Sequence, residues 1–248
     1  MIDLGTVTAT VAICFGSAVL QRTVGFGFAL FAVPLMAFVL PTKSAVVVVF
    51  LAGSTLSVWL AARLHAAIVW PAARPLAAGT VLGAPVGVIV LGGVSAGTLR
   101  LILGVTICVA ALWIIASARW TIRERGGLSP SSTLALGVIS GVLNTSLATS
   151  GPPLVFALRR TGFHGDGFRA TISAVFVVAN LIGLPLLAVA GLITADDLQL
   201  AAVSLVPSAV GMAVGATLGG RMSSVHFTWA VDILLLATGV ITVTRALG

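Results

Sequence analysis

Charge is what this sequence most lacks. Only 8% of its 248 residues are Asp, Glu, Lys or Arg, against roughly 25% in a soluble domain. That scarcity excludes a soluble globular protein. Cysteine is nearly absent too. Cys14 and Cys108 lie apart in apolar runs, which excludes a disulfide framework and a thiolate metal site. Histidine is limited to His65, His164 and His226, all at expected loops or span ends. No metal-ligand spacing, Ser–His–acid set or phosphate-binding loop occurs, so neither an enzyme nor a cofactor or metal is expected. No loop is long enough for a soluble domain, and no segment is of low complexity. Met1-Ile2-Asp3 carries no basic n-region, so no cleaved signal peptide is expected.

Apolar residues are what the chain has instead, at 59% with a mean hydropathy of +1.20. The fold class expected is an all-α polytopic membrane protein. A bilayer core takes roughly 20 apolar residues per helix. Six stretches fit simply: 44–62, 75–93, 98–118, 170–192, 198–220 and 227–247. Residues 4–40 and 132–158 are interrupted. The first has a polar, glycine-rich break at 21–27, the second a break from Asn144 to Pro153.

The two halves correspond. At an offset of 125, Gly16 meets Gly141, Phe31-Ala32 meets Phe156-Ala157 and Ala45 meets Ala170. At an offset of 128, Gly83, Gly87 and Gly92 meet Gly211, Gly215 and Gly220. Residues 1–125 and 126–248 therefore read as two repeats of one membrane domain. Each is a broken segment followed by three full helices. Paired interrupted segments point to a transporter's binding site.

The net charge of +7 comes from twelve Arg and one Lys against six acids. Loop arginines set membrane topology, so the expected partner is the lipid bilayer, not nucleic acid. If each broken segment crosses once, the basic residues outside Arg22 split six to six. If 132–158 dips in and returns, the split is nine to three. The cytoplasm then holds Arg63, Arg74, Arg119, Arg123, Arg125, Arg159, Arg160, Arg169 and Arg221, leaving Lys43, Arg100 and Arg245 outside. A re-entrant hairpin at 132–158 is expected, and if 4–40 does the same from outside, the repeats are inverted.

Arg22 is a charge within an apolar stretch, which is costly in a membrane and usually functional. Its planar fork suits sulfonate, carboxylate or phosphate oxygens. Gln21 adds a neutral donor. Gly25 and Gly27, flanking Phe26, let backbone approach a ligand, and a helix restarting near Phe28 offers N–H groups to an anion. The alternative is a full span over 4–20 that Arg22 merely ends by snorkelling. In the second break, Asn144, Thr145, Ser146, Thr149 and Ser150 place amide and hydroxyl groups in apolar surroundings. Gly151 and Pro152-Pro153 mark a helix start. The alternative for these groups is bonding back to helix carbonyls. Gly83-x3-Gly87 and Gly211-x3-Gly215 read as close helix packing. Asp232 is a candidate for coupling or pairing, and Asn180 for site lining or helix–helix bonding.

Gln21-Arg22-x2-Gly25-Phe26-Gly27-Phe28-Ala29-Leu30-x3-Pro34-Leu35 resembles the first-repeat signature of the TauE/SafE sulfite and organosulfonate exporter family. Ser150-Gly151-Pro152-Pro153-Leu154 with Arg169-Ala170-Thr171 resembles its second. The resemblance spans the chain. It implies a bacterial inner-membrane carrier, often an exporter, of sulfite or C2–C3 sulfonates. Substrate contacts are expected from Gln21, Arg22, Gly25, Phe26, Gly27, Asn144, Thr149, Ser150, Gly151 and Pro152. The expected partners are that small anion, a coupling proton or sodium ion and, as an open option, a second copy of the chain in a homodimer. A small carboxylate carrier and an anion channel are the alternatives.

Overall fold

A computed structural model describes residues 3–24, 27–119, 128–160, 162–163, 165–219 and 225–247. Within these, side chains are described except at 23, 24, 114, 116–119, 218, 219, 225–232 and 247. The described residues form helices and connecting turns without a strand. The helices are α1 (Leu4–Val24), α2 (Phe28–Met36), α3 (Thr42–Arg63), α4 (Trp70–Gly93) and α5 (Ala96–Arg119). They continue as α6 (Pro130–Leu147), α7 (Gly151–Arg160), α8 (Gly165–Val189), α9 (Ala195–Gly219) and α10 (Val225–Leu247).

Local chemistry sets several helix starts. The Asp3 carboxylate accepts the Thr6 N–H at 3.1 Å, and Ser129 accepts the Ser132 N–H at 3.2 Å ahead of Pro130. Thr194 and Asp197 cap each other's backbone reciprocally, satisfying donors the helix leaves open. Each of the six simple apolar stretches is one helix (α3, α4, α5, α8, α9 and α10).

Among the described residues six helices are long and apolar enough to cross a bilayer: α1, α3, α4, α5, α8 and α9. The chain is thus a multi-pass membrane protein. The described apolar part of α10, Ile233–Ala246, is shorter.

The chain folds as two compact units that each draw on both halves of the sequence. One comprises Met1–Ala52, Val94–Thr121 and Thr194–Gly248, the other Gly53–Gly93 and Ile122–Ile193. In the first unit, α1 packs along α9 and α5 along α10. The α1–α9 pair is parallel. A Cβ at Gly211 would lie 2.5 Å from the Phe15 carbonyl, and one at Gly215 would lie 2.7 Å from the Val19 carbonyl. The α5–α10 pair is antiparallel, since Gly104 abuts Val243 while Gly239 abuts Ile107 and Cys108.

Within this unit α2 follows α1 after the short link at 25–27 and packs back against it, so α1 and α2 are the arms of a hairpin, although α1 alone has the length of a span. Near the end of α10, Arg245 stacks 4.5 Å from the ring of Phe38, two residues beyond α2.

In the second unit, α4 packs on α6 and α8. A Cβ at Gly79 would lie 2.7 Å from the Gly137 Cα, and Cβ atoms at Gly83 and Gly87 would run into the Val138 carbonyl and the Thr145 hydroxyl. Only hydrogen at these positions lets the two backbones meet, which is the close packing expected of Gly83-x3-Gly87. α6 and α7 form a second hairpin. Pro130 and Thr133 at the start of α6 line one cavity of about 440 Å³ together with Ala157 and Leu158 near the end of α7.

Candidate functional site

The first break is narrower than the sequence suggests. The helix α1 runs on through Gln21 and Arg22 to Val24. Polar side chains do not themselves end a helix. Gly25 and Phe26 lie outside the described residues. Gly27 has φ 107° and immediately precedes α2, a left-handed conformation that glycine adopts without a Cβ penalty. Its carbonyl accepts the Phe31 N–H at 3.3 Å.

Gln21 and Arg22 thus occupy the last turn of a helix, beside its tip. Gln21 is buried, at 5% exposure, and its Oε1 has no hydrogen-bond partner among the described residues. Arg22 is half-buried. Its backbone is held against α9, where a Cβ at Gly215 would come 2.8 Å from the Arg22 Cβ. Phe28, Leu30, Phe31, Ala32 and Val33 are buried in α2, so the short arm is anchored by apolar packing.

The second break is a hydrogen-bonded knot. Ala148 caps α6 in the left-handed region at φ 55°. The Ser140 hydroxyl donates to the Ser150 carbonyl at 3.2 Å, so the chain is already returning along α6 by Ser150. Asn144 ties three elements together. Its Nδ2 donates to Asn180 Oδ1 on α8 at 2.9 Å, and its Oδ1 accepts from the Ser150 hydroxyl at 3.0 Å. All three side chains are buried.

The other polar groups there bond back to carbonyls. Thr145 donates to Ala84 and Gly141, Ser146 to Val142, and Thr149 to Leu147. Pro152 and Pro153 start α7 as anticipated. They also remove two donors. Of the first four α7 positions only Gly151 and Leu154 carry an N–H, which limits what this helix end offers an anion.

The structure brings Asn144, Ser150 and Asn180 together in one unit, and Gln21, Arg22 and Gly27 along one hairpin in the other. The side chain of Asp232 lies outside the described residues. Among the described residues no group of three or more His, Cys, Asp or Glu could hold a metal ion. Sequence reasoning passed over Thr10, Ser17 and Ser208, whose buried hydroxyls have no partner among the described residues. For Thr10 and Ser17 the signal was the 4, 3, 4 spacing of Thr10, Cys14, Ser17 and Gln21 on one face of a helix.

No curated protein and no solved structure matches the chain. One family model does, described as sulfite exporter TauE/SafE, over residues 10–242. That match runs from within α1 to within α10. The chain belongs to the TauE/SafE sulfite exporter family of membrane transporters.

Proposed function

We propose that the chain is a secondary transporter that exports a small organosulfonate or sulfite-like anion across the bacterial inner membrane by alternating access. The observation that carries this reading is the placement of Gln21 and Arg22. They close the long arm of a membrane hairpin, immediately before the glycine break. Arg22 supplies the charge and a two-pronged donor set for tetrahedral or planar anion oxygens. Gln21 can turn its amide to give a further N–H, since the two amide faces interchange by a flip. Gly25, Phe26 and Gly27 shape the approach.

In the second hairpin, Gly151 and Pro152 lie at the tip, with Thr149 and Ser150 leading into it. Asn144 and Asn180 hold that tip in place. Asp232 is the proposed coupling group for a proton or sodium ion. The two hairpins open to opposite faces in this reading, because three crossing helices, α3, α4 and α5, separate them. This is the inverted-repeat plan common among secondary transporters. With Arg63, Arg74, Arg159 and Arg160 on the cytoplasmic side, the first hairpin opens outward.

Purified protein in liposomes loaded with sulfite or sulfoacetate tests this. Saturable efflux, with acceleration by the same anion on the opposite side, is expected of a carrier. Non-saturating flux at conductance levels would replace the carrier by a channel. Transport of acetate but not sulfoacetate would replace the cargo by a carboxylate.

A further inference from the structure

Asn180 on α8 uses only one end of its amide. The side chain is 7% exposed, and its Oδ1 accepts from Asn144 Nδ2 at 2.9 Å. Its own Nδ2 makes no hydrogen bond among the described residues. That nitrogen is not sealed in either, unlike the unpartnered oxygens of Thr10, Ser17 and Gln21. It borders open space. Buried polar groups normally find partners, so an amide that leaves its N–H groups unpaired beside a helix break calls for a reason.

The direction of this amide is set from the other end. The Ser150 hydroxyl, just ahead of α7, donates to Asn144 Oδ1 at 3.0 Å. Asn144 then has its Nδ2 left to give, and Asn180 meets it with oxygen. The three groups form one chain, donor to acceptor, from Ser150 through Asn144 to Asn180. It ends on unpaired N–H groups. Both amide oxygens along it are engaged. The hydroxyls of Thr145, Ser146 and Thr149 spend their protons on carbonyls. The Ser150 backbone N–H has no acceptor among the described residues. What the second break has to spare is therefore donors. A hard cation is held by oxygens; an N–H donor is matched by the oxygen of an anion, and that bond is stronger than a neutral one.

We infer that Asn180 is a substrate-contacting residue whose Nδ2 donates to an oxygen of the transported anion at the second hairpin, with Asn144 and Ser150 positioning it. The inference rests on the proposed anion reading of that hairpin. It gives Asn180 a second task, since besides holding the tip it reads the cargo. A neutral donor selects an oxyanion by its oxygens without adding charge that would retain it, which suits a carrier that must also release.

Asn180→Asp separates the two tasks. Aspartate keeps an oxygen for Asn144 Nδ2 and puts a second oxygen where the Asn180 Nδ2 was. A residue that only holds the tip keeps its bond; one that donates to an anion now repels it. The Kd for sulfite and for sulfoacetate is titrated on purified wild type and N180D in potassium buffer, and thermal unfolding without either anion reports on the fold. N180D is expected to fold and to bind both anions at least about tenfold more weakly, as loss of a hydrogen bond to a charged group implies. Equal Kd values would overturn the donor role. So would stabilisation of the wild type by sodium ion alone that N180D strengthens, because the chain would then end on an acceptor.

If N180D does not fold, Asn180→Ala removes the donor without adding charge. The same weakening is expected, and an unchanged Kd would again overturn the role. A wild type that binds neither anion rejects the anion reading itself and the donor role with it. A wild type that binds, beside a variant that binds as well, rejects the donor role alone.

Discussion

At the residue scale, Arg22 carries the largest expected effect. A hydrogen bond to a charged group contributes about 1.5–3 kcal/mol, so Arg22→Gln is expected to weaken anion binding by roughly 10- to 100-fold. Arg22→Lys keeps the charge but loses the fork, and titration should rank it between the two. Gly27 is needed for its backbone. A side chain at its φ of 107° costs about 1–2 kcal/mol, so Gly27→Ala should lower the unfolding temperature without an anion present. Asn144→Ala would strand Asn180 and Ser150 in a buried setting, at about 1–3 kcal/mol; the same thermal assay measures it. Arg22 was legible because a charge among apolar neighbours stands out in one dimension. The Asn144–Asn180 bond was not, because its partners lie 36 residues apart and each looks like an isolated amide.

At the scale of elements, the two hairpins and the glycine seams decide the architecture. Gly83 and Gly87 meet α6 backbone to backbone, so Gly83→Leu has no rotamer that avoids the Val138 carbonyl. Overpacking of this kind costs about 1–3 kcal/mol and occasionally more. The expected result is loss of folded protein, while Gly93→Leu, which meets nothing within 4 Å, folds normally. The six simple helices were legible because length and hydropathy alone define a span. The end of α1 was not. Gln21 and Arg22 looked like part of the break, yet a helix accepts both residues, and α1 runs on to Val24. The polar cluster of the second break was visible as composition, but the destination of each hydroxyl was not. Thr145, Ser146 and Thr149 spend theirs on carbonyls, which no spacing rule foretells.

At the scale of the whole molecule, the hairpins change which loops share a face. If α6 and α7 return to the side they left, Ser131→Cys at the start of α6 and Asp166→Cys at the start of α8 should both react from the cytoplasmic side. A single crossing by 132–158 would place them on opposite sides. Both positions are exposed, so lack of reaction would not stem from packing.

Anion binding to purified protein bears most directly on the role of Arg22. Thermal unfolding of the wild type and of Arg22→Gln is followed with sulfite, sulfoacetate, taurine, acetate and sulfate. A ligand at 100 times its Kd stabilises the folded state by about 2.7 kcal/mol, enough to read as a shift. The expected result is stabilisation of the wild type by sulfite or sulfoacetate and a much smaller shift in the variant, whose roughly 10- to 100-fold weaker binding leaves about 0.4–1.4 kcal/mol at the same concentration. The same shift in both proteins would contradict the assignment of Arg22. A well-folded wild type that responds to none of these anions would contradict the substrate class.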